Sequence, residues 1–267
     1  AAAANLTPVT LELGGKSPAI VAPGFPLEEA ADKIMFGKCA NAGQTCVAPD
    51  YVLVPAGAEQ AFAEAARAAV ARLYPTLAAN PDYSAIVNER HYRRLAGYLD
   101  DARARGATVL EINPARERLD PAARKLAPAL VLGATDKMQA MRDEIFGPIL
   151  PVVPYDGLDA ALRYVEARPR PLALYYFDRD QARVRRVLAE THSGGVTVND
   201  VLLHVVQEDL PFGGVGDSGM GHYHGRHGFE TFSKQKGVFV QSRLSGAGLL
   251  KPPYGKRFEA MIRLLLR

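Results

Sequence analysis

The sequence has 267 residues, 48% of them hydrophobic, which is enough for one large or two ordinary domains around a core. Its 32 basic and 29 acidic residues form no long block of one sign, and no apolar run reaches the roughly 18 residues of a membrane span. We therefore predict a small-molecule substrate and neither nucleic acid nor a membrane as partner. The two cysteines, Cys39 and Cys46, make no disulfide framework for a chain of this size, which favours a reducing, cytoplasmic setting.

Strand and helix patterns alternate along the chain. Residues 9–13, VTLEL, alternate as in a strand and lead into the turn residues GGKSP. Residues 27–42 repeat apolar positions every three or four residues, which predicts a helix with Cys39 on its apolar stripe. The other predicted elements are strand 51–55, helix 57–73, helix 88–105 with Asn88 as N-cap, strands 127–133 and 148–155, helix 158–167, strand 172–177, helix 180–190 and strand 194–200. This alternation predicts an α/β fold, a mostly parallel sheet flanked by helices, with an extended C-terminal tail.

Cys46 follows a predicted helix end and the small, polar residues AGQT. We expect it on a constrained loop or at the start of the next element, where it can be exposed. A positive neighbour or a helix N-terminus there would lower the usual thiol pKa of about 8.5 and make Cys46 a nucleophile. Taken alone, a single cysteine is more often buried and inert, and Cys39 keeps that interpretation.

Two glutamates occupy positions suited to chemistry. Glu12 ends an apolar strand just before Gly14, and sites gather at strand ends in α/β sheets. A partly desolvated carboxylate there would have a raised pKa suited to a general base, although an ordinary solvent-facing strand residue is the alternative. In DEIFGP, Glu144 and Phe146 could face the same side of an extended segment, the acid holding a sugar diol and the ring lying against a flat heterocycle. A loop acid and a core aromatic are the alternative there.

The remaining candidates for a functional site are a glycine-rich segment and a histidine cluster. Residues 210–221, LPFGGVGDSGMG, match neither the dinucleotide fingerprint nor a P-loop and are interpreted as a close-packed anchor loop. His222, His224 and His227 lack the usual ligand spacing and nearby acids or cysteines, so a solvated or supporting role is favoured and no metal site is predicted.

Four segments occur in the order LELGGKSP, GQTC, EIFGP and PFGGVGDSGMG, with Glu12 and Cys46 34 residues apart. Together they resemble the aldehyde dehydrogenase superfamily over essentially the whole chain, and GQTCVAPDYVLVP and KPPYGKRF are most similar to its branch acting on fatty and aromatic aldehydes. The resemblance implies the catalytic-domain fold of that superfamily and a homodimer. It also implies oxidation of an aldehyde, coniferaldehyde-like first, to the carboxylic acid with NAD or NADP.

The resemblance also implies the roles of individual residues. Cys46 matches the nucleophile, and Glu12 matches the general base that activates the deacylating water. Glu144 matches the acid that holds the nicotinamide ribose, and Phe146 matches the ring beside the nicotinamide. Leu13 and Gly14 match the backbone along the nicotinamide face.

Members of the superfamily carry a Rossmann-type coenzyme domain upstream, and its residues are not found in this sequence. We therefore expect a C-terminal part, with 1–14 as a remnant of the coenzyme domain and 15–214 as the catalytic domain. Residues 215–267 would form a C-terminal segment and tail that return to the coenzyme domain or serve oligomerisation. A truncated, non-catalytic assembly module unable to bind coenzyme alone is one alternative, and a thiol esterase that uses Cys46 with Glu12 is another.

Overall fold

A seven-stranded sheet organises the computed structural model, which describes residues 1–252 and 254–266. The strands are β1 (Leu11–Glu12), β2 (Pro18–Val21), β3 (Tyr51–Pro55), β4 (Thr108–Glu111), β5 (Ala129–Leu132), β6 (Ile149–Tyr155), β7 (Ala173–Phe177), β8 (Gly195–Val198) and β9 (Gly219–Met220). The order in the main sheet is β4-β5-β6-β3-β2-β7-β8, with all neighbours parallel except β4, which runs antiparallel to β5. The predicted α/β fold with a mostly parallel sheet is confirmed.

Helices connect the strands. They are α1 (Leu27–Cys39), α2 (Glu59–Leu73), α3 (Glu89–Ala104), α4 (Gln139–Arg142), α5 (Gly157–Glu166), α6 (Gln181–Glu190), α7 (Gly225–Thr231) and α8 (Lys256–Leu265). The predicted N-cap of α3 is confirmed, because the Asn88 side chain accepts a hydrogen bond from the His91 N–H at 2.9 Å. The α1 helix ends earlier than predicted, since Asn41 and Ala42 adopt positive φ angles of 49° and 52°.

The core lies around the central strands. Every residue of β2 and β7 is buried, as expected for parallel strands covered on both faces. The strand β2 was not predicted, because its first residue, Pro18, was assigned to the turn segment GGKSP. The predicted strand 9–13 is reduced to β1, which pairs only with β9 and stands outside the main sheet.

Contacts divide the chain into two compact units, Ala1–Phe232 and Ser233–Arg267. The second unit contains α8 and a short 3-10 helix, Gly246–Leu250. The predicted domains 1–14, 15–214 and 215–267 stay predictions, and Pro253 and Arg267 of the predicted tail lie outside the described residues. In the described part of the chain, no helix has both the length and the apolar character needed to cross a membrane.

Candidate active site

Three loops meet at one edge of the main sheet. Lys16 lies just before β2, Asp50 directly precedes β3 and Pro148 directly precedes β6. Since β6, β3 and β2 are parallel neighbours, these loops converge at the amino edge of the sheet. Open α/β sheets more commonly bind ligands at the carboxyl edge, so the site does not lie where that rule places it.

Cys46 is half-buried in a turn between α1 and β3. The turn is closed by a hydrogen bond from the Ala48 N–H to the Thr45 carbonyl at 3.1 Å. It is also held from the core, because the Tyr175 hydroxyl of β7 donates to the Val47 carbonyl at 2.5 Å. The predicted loop position of Cys46 is therefore correct.

Gln44 of the GQTC segment fastens this turn to its surroundings. Its amide nitrogen donates to the carbonyls of Asn41 at 2.9 Å and Ala85 at 3.1 Å. Its amide oxygen accepts from the Val87 N–H at 2.8 Å. A single side chain two residues before Cys46 thus satisfies three backbone groups and fixes the path of the loop.

Glu12 lies beside Cys46. Burial first, and then hydrogen bonding to Glu12 and its negative charge, raise the pKa of the Cys46 thiol to about 12. The lowered pKa considered from the sequence is not found, because Cys46 lies in a turn rather than at a helix N-terminus. The thiol is thus protonated at neutral pH.

The sequence missed Tyr223, whose hydroxyl donates a hydrogen bond to Oε2 of Glu12. This bond is the main cause that raises the pKa of Tyr223 to about 12. Tyr223 is held by paired backbone hydrogen bonds with Phe212, at 2.8 and 2.7 Å. Glu12 itself is exposed, so the partial desolvation expected from the sequence is wrong for the described chain.

The charge of Glu144 also contributes to the raised pKa of the Cys46 thiol. Its carboxylate lies against bare backbone: a Cβ on Gly14 would come within 2.7 Å of Oε1, and Gly14 has a φ of 80°. Burial raises the pKa of Glu144 to about 7, although hydrogen bonding from the Gly15 backbone N–H opposes the rise. A glycine at position 14 is therefore required both by its φ and by its contact with Glu144.

Phe146 has a positive φ of 48° and is 38% exposed. A bulky residue in this left-handed region costs about 1–2 kcal/mol, so surrounding contacts must hold it there. The next residue, Gly147, meets the Cys46 loop: a Cβ on Gly43 would come within 2.3 Å of the Gly147 carbonyl oxygen. The two loops therefore pack backbone against backbone.

Three buried or partly buried charges lie under these loops. Asp50, only 2% exposed, forms an ion pair with Lys16. Lys38 is fully buried, and its Nζ lies 3.9 Å from Oδ1 of Asp50 without a hydrogen-bond partner among the described residues. Burial lowers the pKa of Lys38 to about 8. Nothing in the spacing of these residues indicated that they would meet.

The histidine cluster forms aromatic contacts. The rings of His222 and His227 lie 5.3 Å apart, and His224 stacks on Phe212 at 5.2 Å. Within residues 1–252 and 254–266, no group of three or more histidine, cysteine, aspartate or glutamate residues is arranged to hold a metal ion.

Comparison with known proteins identifies one family. The model of the aldehyde dehydrogenase family matches residues 1–238. The probable coniferyl aldehyde dehydrogenase of Pseudomonas aeruginosa is 57% identical over 98% of this chain and 54% of its own length. The coniferyl aldehyde dehydrogenase of a Pseudomonas strain is 49% identical over 100% of this chain and 56% of its own length. The chain thus spans about half the length of the curated relatives it matches.

Solved structures agree with this result. The substrate-bound AldH of Staphylococcus aureus has a TM-score of 0.89 at 40% identity, covering 99% of this chain and 56% of that one. A Mycobacterium tuberculosis aldehyde dehydrogenase complexed with NAD+ has a TM-score of 0.80 at 28% identity, covering 91% of this chain and 50% of that one. The chain belongs to the aldehyde dehydrogenase family.

Proposed function

We propose that the protein oxidises an aldehyde to the carboxylic acid with NAD or NADP, and that its substrate is an aromatic aldehyde of the coniferaldehyde type. The observation that carries the proposal is the half-buried Cys46 thiol with the Glu12 carboxylate beside it and Glu144 close enough for its charge to act on the thiol. The substrate class is supported by the names of the Pseudomonas relatives.

In the first step, Cys46 acts as the nucleophile. Because its raised pKa keeps the thiol protonated, the proton passes to Glu12 as the sulfur forms a bond to the aldehyde carbon. The aldehyde oxygen gains the electron pair of the carbonyl bond, giving a thiohemiacetal anion. The backbone N–H of Cys46 would donate to that oxygen and stabilise its charge.

The residues near Glu144 fit a nicotinamide coenzyme. The Glu144 carboxylate would accept hydrogen bonds from ribose hydroxyls, Phe146 would lie beside the nicotinamide ring, and the backbone of Leu13 and Gly14 would line its face. Because Gly14 carries no side chain, the Glu144 carboxylate lies directly against the backbone of the segment that would line the nicotinamide. When bound, the coenzyme supplies the acceptor for the hydride that leaves the aldehyde carbon.

Hydrolysis of the resulting thioester needs a base. After the proton taken from the thiol has passed to bulk water, the Glu12 carboxylate would take a proton from a water molecule while the water oxygen attacks the thioester carbon. The Cys46 sulfur leaves with the electron pair of the broken C–S bond and regains a proton, which releases the acid.

The two alternative functions are not equally supported. A non-catalytic assembly module is not favoured, because relatives up to 57% identical to this chain are named dehydrogenases. Thiol esterase activity would use Cys46 and Glu12 without coenzyme and provides a separate assay of the same nucleophile. Homodimer formation through the tail and a cytoplasmic location stay predictions.

The test compares two cysteine variants of the natural full-length polypeptide. Coniferaldehyde is mixed with NAD or NADP, and the reduced coenzyme is followed by absorbance. We expect Cys46→Ala to lower turnover at least about a thousand-fold, while the matched control Cys39→Ala, in the buried cysteine of α1, keeps it. An inactive parent, or an active Cys46→Ala variant, contradicts the proposal.

A further inference from the structure

The backbone of Ile145 is held at both its N–H and its carbonyl. Its N–H donates to Oδ1 of Asp50 at 3.0 Å, and its carbonyl accepts from Nη2 of Arg94 at 2.7 Å. Ile145 is fully buried and Asp50 is 2% exposed. Because Ile145 stands between Glu144 and Phe146, these two bonds fix the backbone that carries both side chains.

One face of α3 supplies most of this support. Arg94 donates from Nη1 to the Glu144 carbonyl at 3.2 Å. Tyr98, one turn later, accepts from Arg94 at 2.9 Å and donates to the Asp143 carboxylate at 3.0 Å. Leu95 lies so close to Gly147 that a Cβ there would come within 2.4 Å of Leu95 Cδ2. A helix distant in sequence from Cys46 thus contacts the segment from 143 to 147 along its length.

The opposite side of the segment is held by Lys16. Its Nζ donates to the carbonyls of Ala140 at 2.8 Å and Asp143 at 3.0 Å, and it pairs with Asp50. Lys16 follows the Gly14 turn, and Asp50 follows Cys46 by four residues. The same bonds therefore connect the loops of Glu12, Cys46 and Glu144.

The strained backbone of Phe146 indicates that this hydrogen-bond network has a functional role in addition to stabilising the fold. A phenylalanine with a φ of 48° persists only where its neighbours determine its conformation, and such strain concentrates at ligand-binding positions. We propose that Arg94 and Asp50 are positioning residues for the coenzyme. By holding the backbone carbonyl and N–H of Ile145, they fix Glu144 and Phe146 in the conformation that binds the coenzyme. This inference rests on the proposed function of Glu144 and Phe146.

A purely structural role for Arg94 makes a different prediction. If Arg94 only docks α3, its loss lowers the melting temperature and lowers every activity in parallel. If Arg94 positions the backbone of Ile145, the loss of Arg94 weakens coenzyme binding. Hydrolysis of a p-nitrophenyl ester by Cys46 needs no coenzyme and is then unchanged. The ratio of the two effects separates the roles.

The test uses Arg94→Met, Arg94→Lys and the control Arg93→Met in the natural full-length polypeptide. Arg93 is the next residue on α3, but its side chain is 77% exposed and pairs only with Glu89 among the described residues. Coenzyme affinity is measured by calorimetric titration with NAD and NADP, alongside the coenzyme KM, kcat and coenzyme-free ester hydrolysis. We expect Arg94→Met to weaken coenzyme binding at least about tenfold, as for a lost charged hydrogen bond, with ester hydrolysis unchanged.

Arg94→Lys keeps the charge but not the planar fork, and we expect an intermediate loss of coenzyme affinity. This variant decides the question if Arg94→Met does not fold. Unchanged coenzyme affinity in a folded Arg94 variant, or a parallel loss of ester hydrolysis, overturns the inference alone. A parent protein that binds no coenzyme overturns the proposed function together with the inference.

Discussion

The two carboxylates near Cys46 are the same residue type in different surroundings. Glu12 is exposed, lies on the two-residue strand β1 and accepts a side-chain hydrogen bond from Tyr223. Glu144 is half-buried, and its raised pKa of about 7 reflects that burial. The neighbouring backbone of Glu144 is fixed by Arg94 and Asp50. A group that binds a ligand needs a fixed position, and the contacts around Glu144 supply one.

The largest expected effect comes from changing the exposed carboxylate. We predict that Glu12→Gln lowers kcat by about a hundred-fold to ten-thousand-fold, because the amide cannot accept the proton of the thiol or of the hydrolytic water. Steady-state oxidation of coniferaldehyde, followed by absorbance of the reduced coenzyme, measures the loss. The control Glu28→Gln, an exposed position on α1, should keep kcat. Parent-like turnover by Glu12→Gln would mean that the exposed carboxylate is not the base.

The comparison also shows which parts of the fold the sequence could predict. The strands β3, β6 and β7 could be predicted because each is a run of five to seven mostly apolar residues, and α3 could be predicted because it is long enough to show a helical repeat. The strand β2, at the centre of the sheet, was missed because its first residue, Pro18, was assigned to the preceding turn. The half-exposed edge strand β4 was missed as well.

For the site, the limit of sequence reasoning was separation along the chain. Cys46, Glu12, Glu144 and Phe146 stand in short motifs and could be proposed residue by residue. Tyr223 meets Glu12 across 211 positions, and its motif gave no sign of that contact. Arg94 looks like any arginine of a polar helix until α3 packs beside Ile145. Such supporting residues are defined by tertiary packing, which no local pattern records.

The next prediction concerns the half-buried carboxylate and uses its raised pKa. Below pH about 7 Glu144 is protonated, and above it the ionised form accepts hydrogen bonds more strongly. We therefore predict that the coenzyme KM falls as the pH rises through about 7. Glu144→Gln should raise the KM by about tenfold and remove this pH dependence. Initial rates at several pH values, with the aldehyde saturating, measure both effects.

The raised pKa of Glu144 also predicts how the stability of the coenzyme-free protein depends on pH. Since the folded protein binds the Glu144 proton more tightly than the unfolded chain, with a pKa of about 7 against 4.5, this group stabilises the fold most below pH 4.5. Its contribution is lost as the pH rises through about 7. Denaturant titrations should show that Glu144→Gln lacks this loss. An identical pH dependence in parent and variant would contradict the burial of the carboxylate.

The smallest expected effect tests the hydrogen bond on Glu12. Tyr223→Phe removes only the hydroxyl that stabilises the ionised carboxylate, which at this exposed position is worth about 1 kcal/mol, or roughly fivefold. Because the carboxylate loses the donor that orients it, the rate of coenzyme-free ester hydrolysis by Cys46 should fall by about this factor. The initial rate of p-nitrophenyl ester hydrolysis without coenzyme measures this loss independently of any contribution from Glu144 to coenzyme binding. Tyr92→Phe, on half-buried Tyr92, whose hydroxyl has no hydrogen-bond partner among the described residues, is the matched control. An unchanged rate of ester hydrolysis in Tyr223→Phe would mean that the Tyr223 hydroxyl does not support Glu12 as the base.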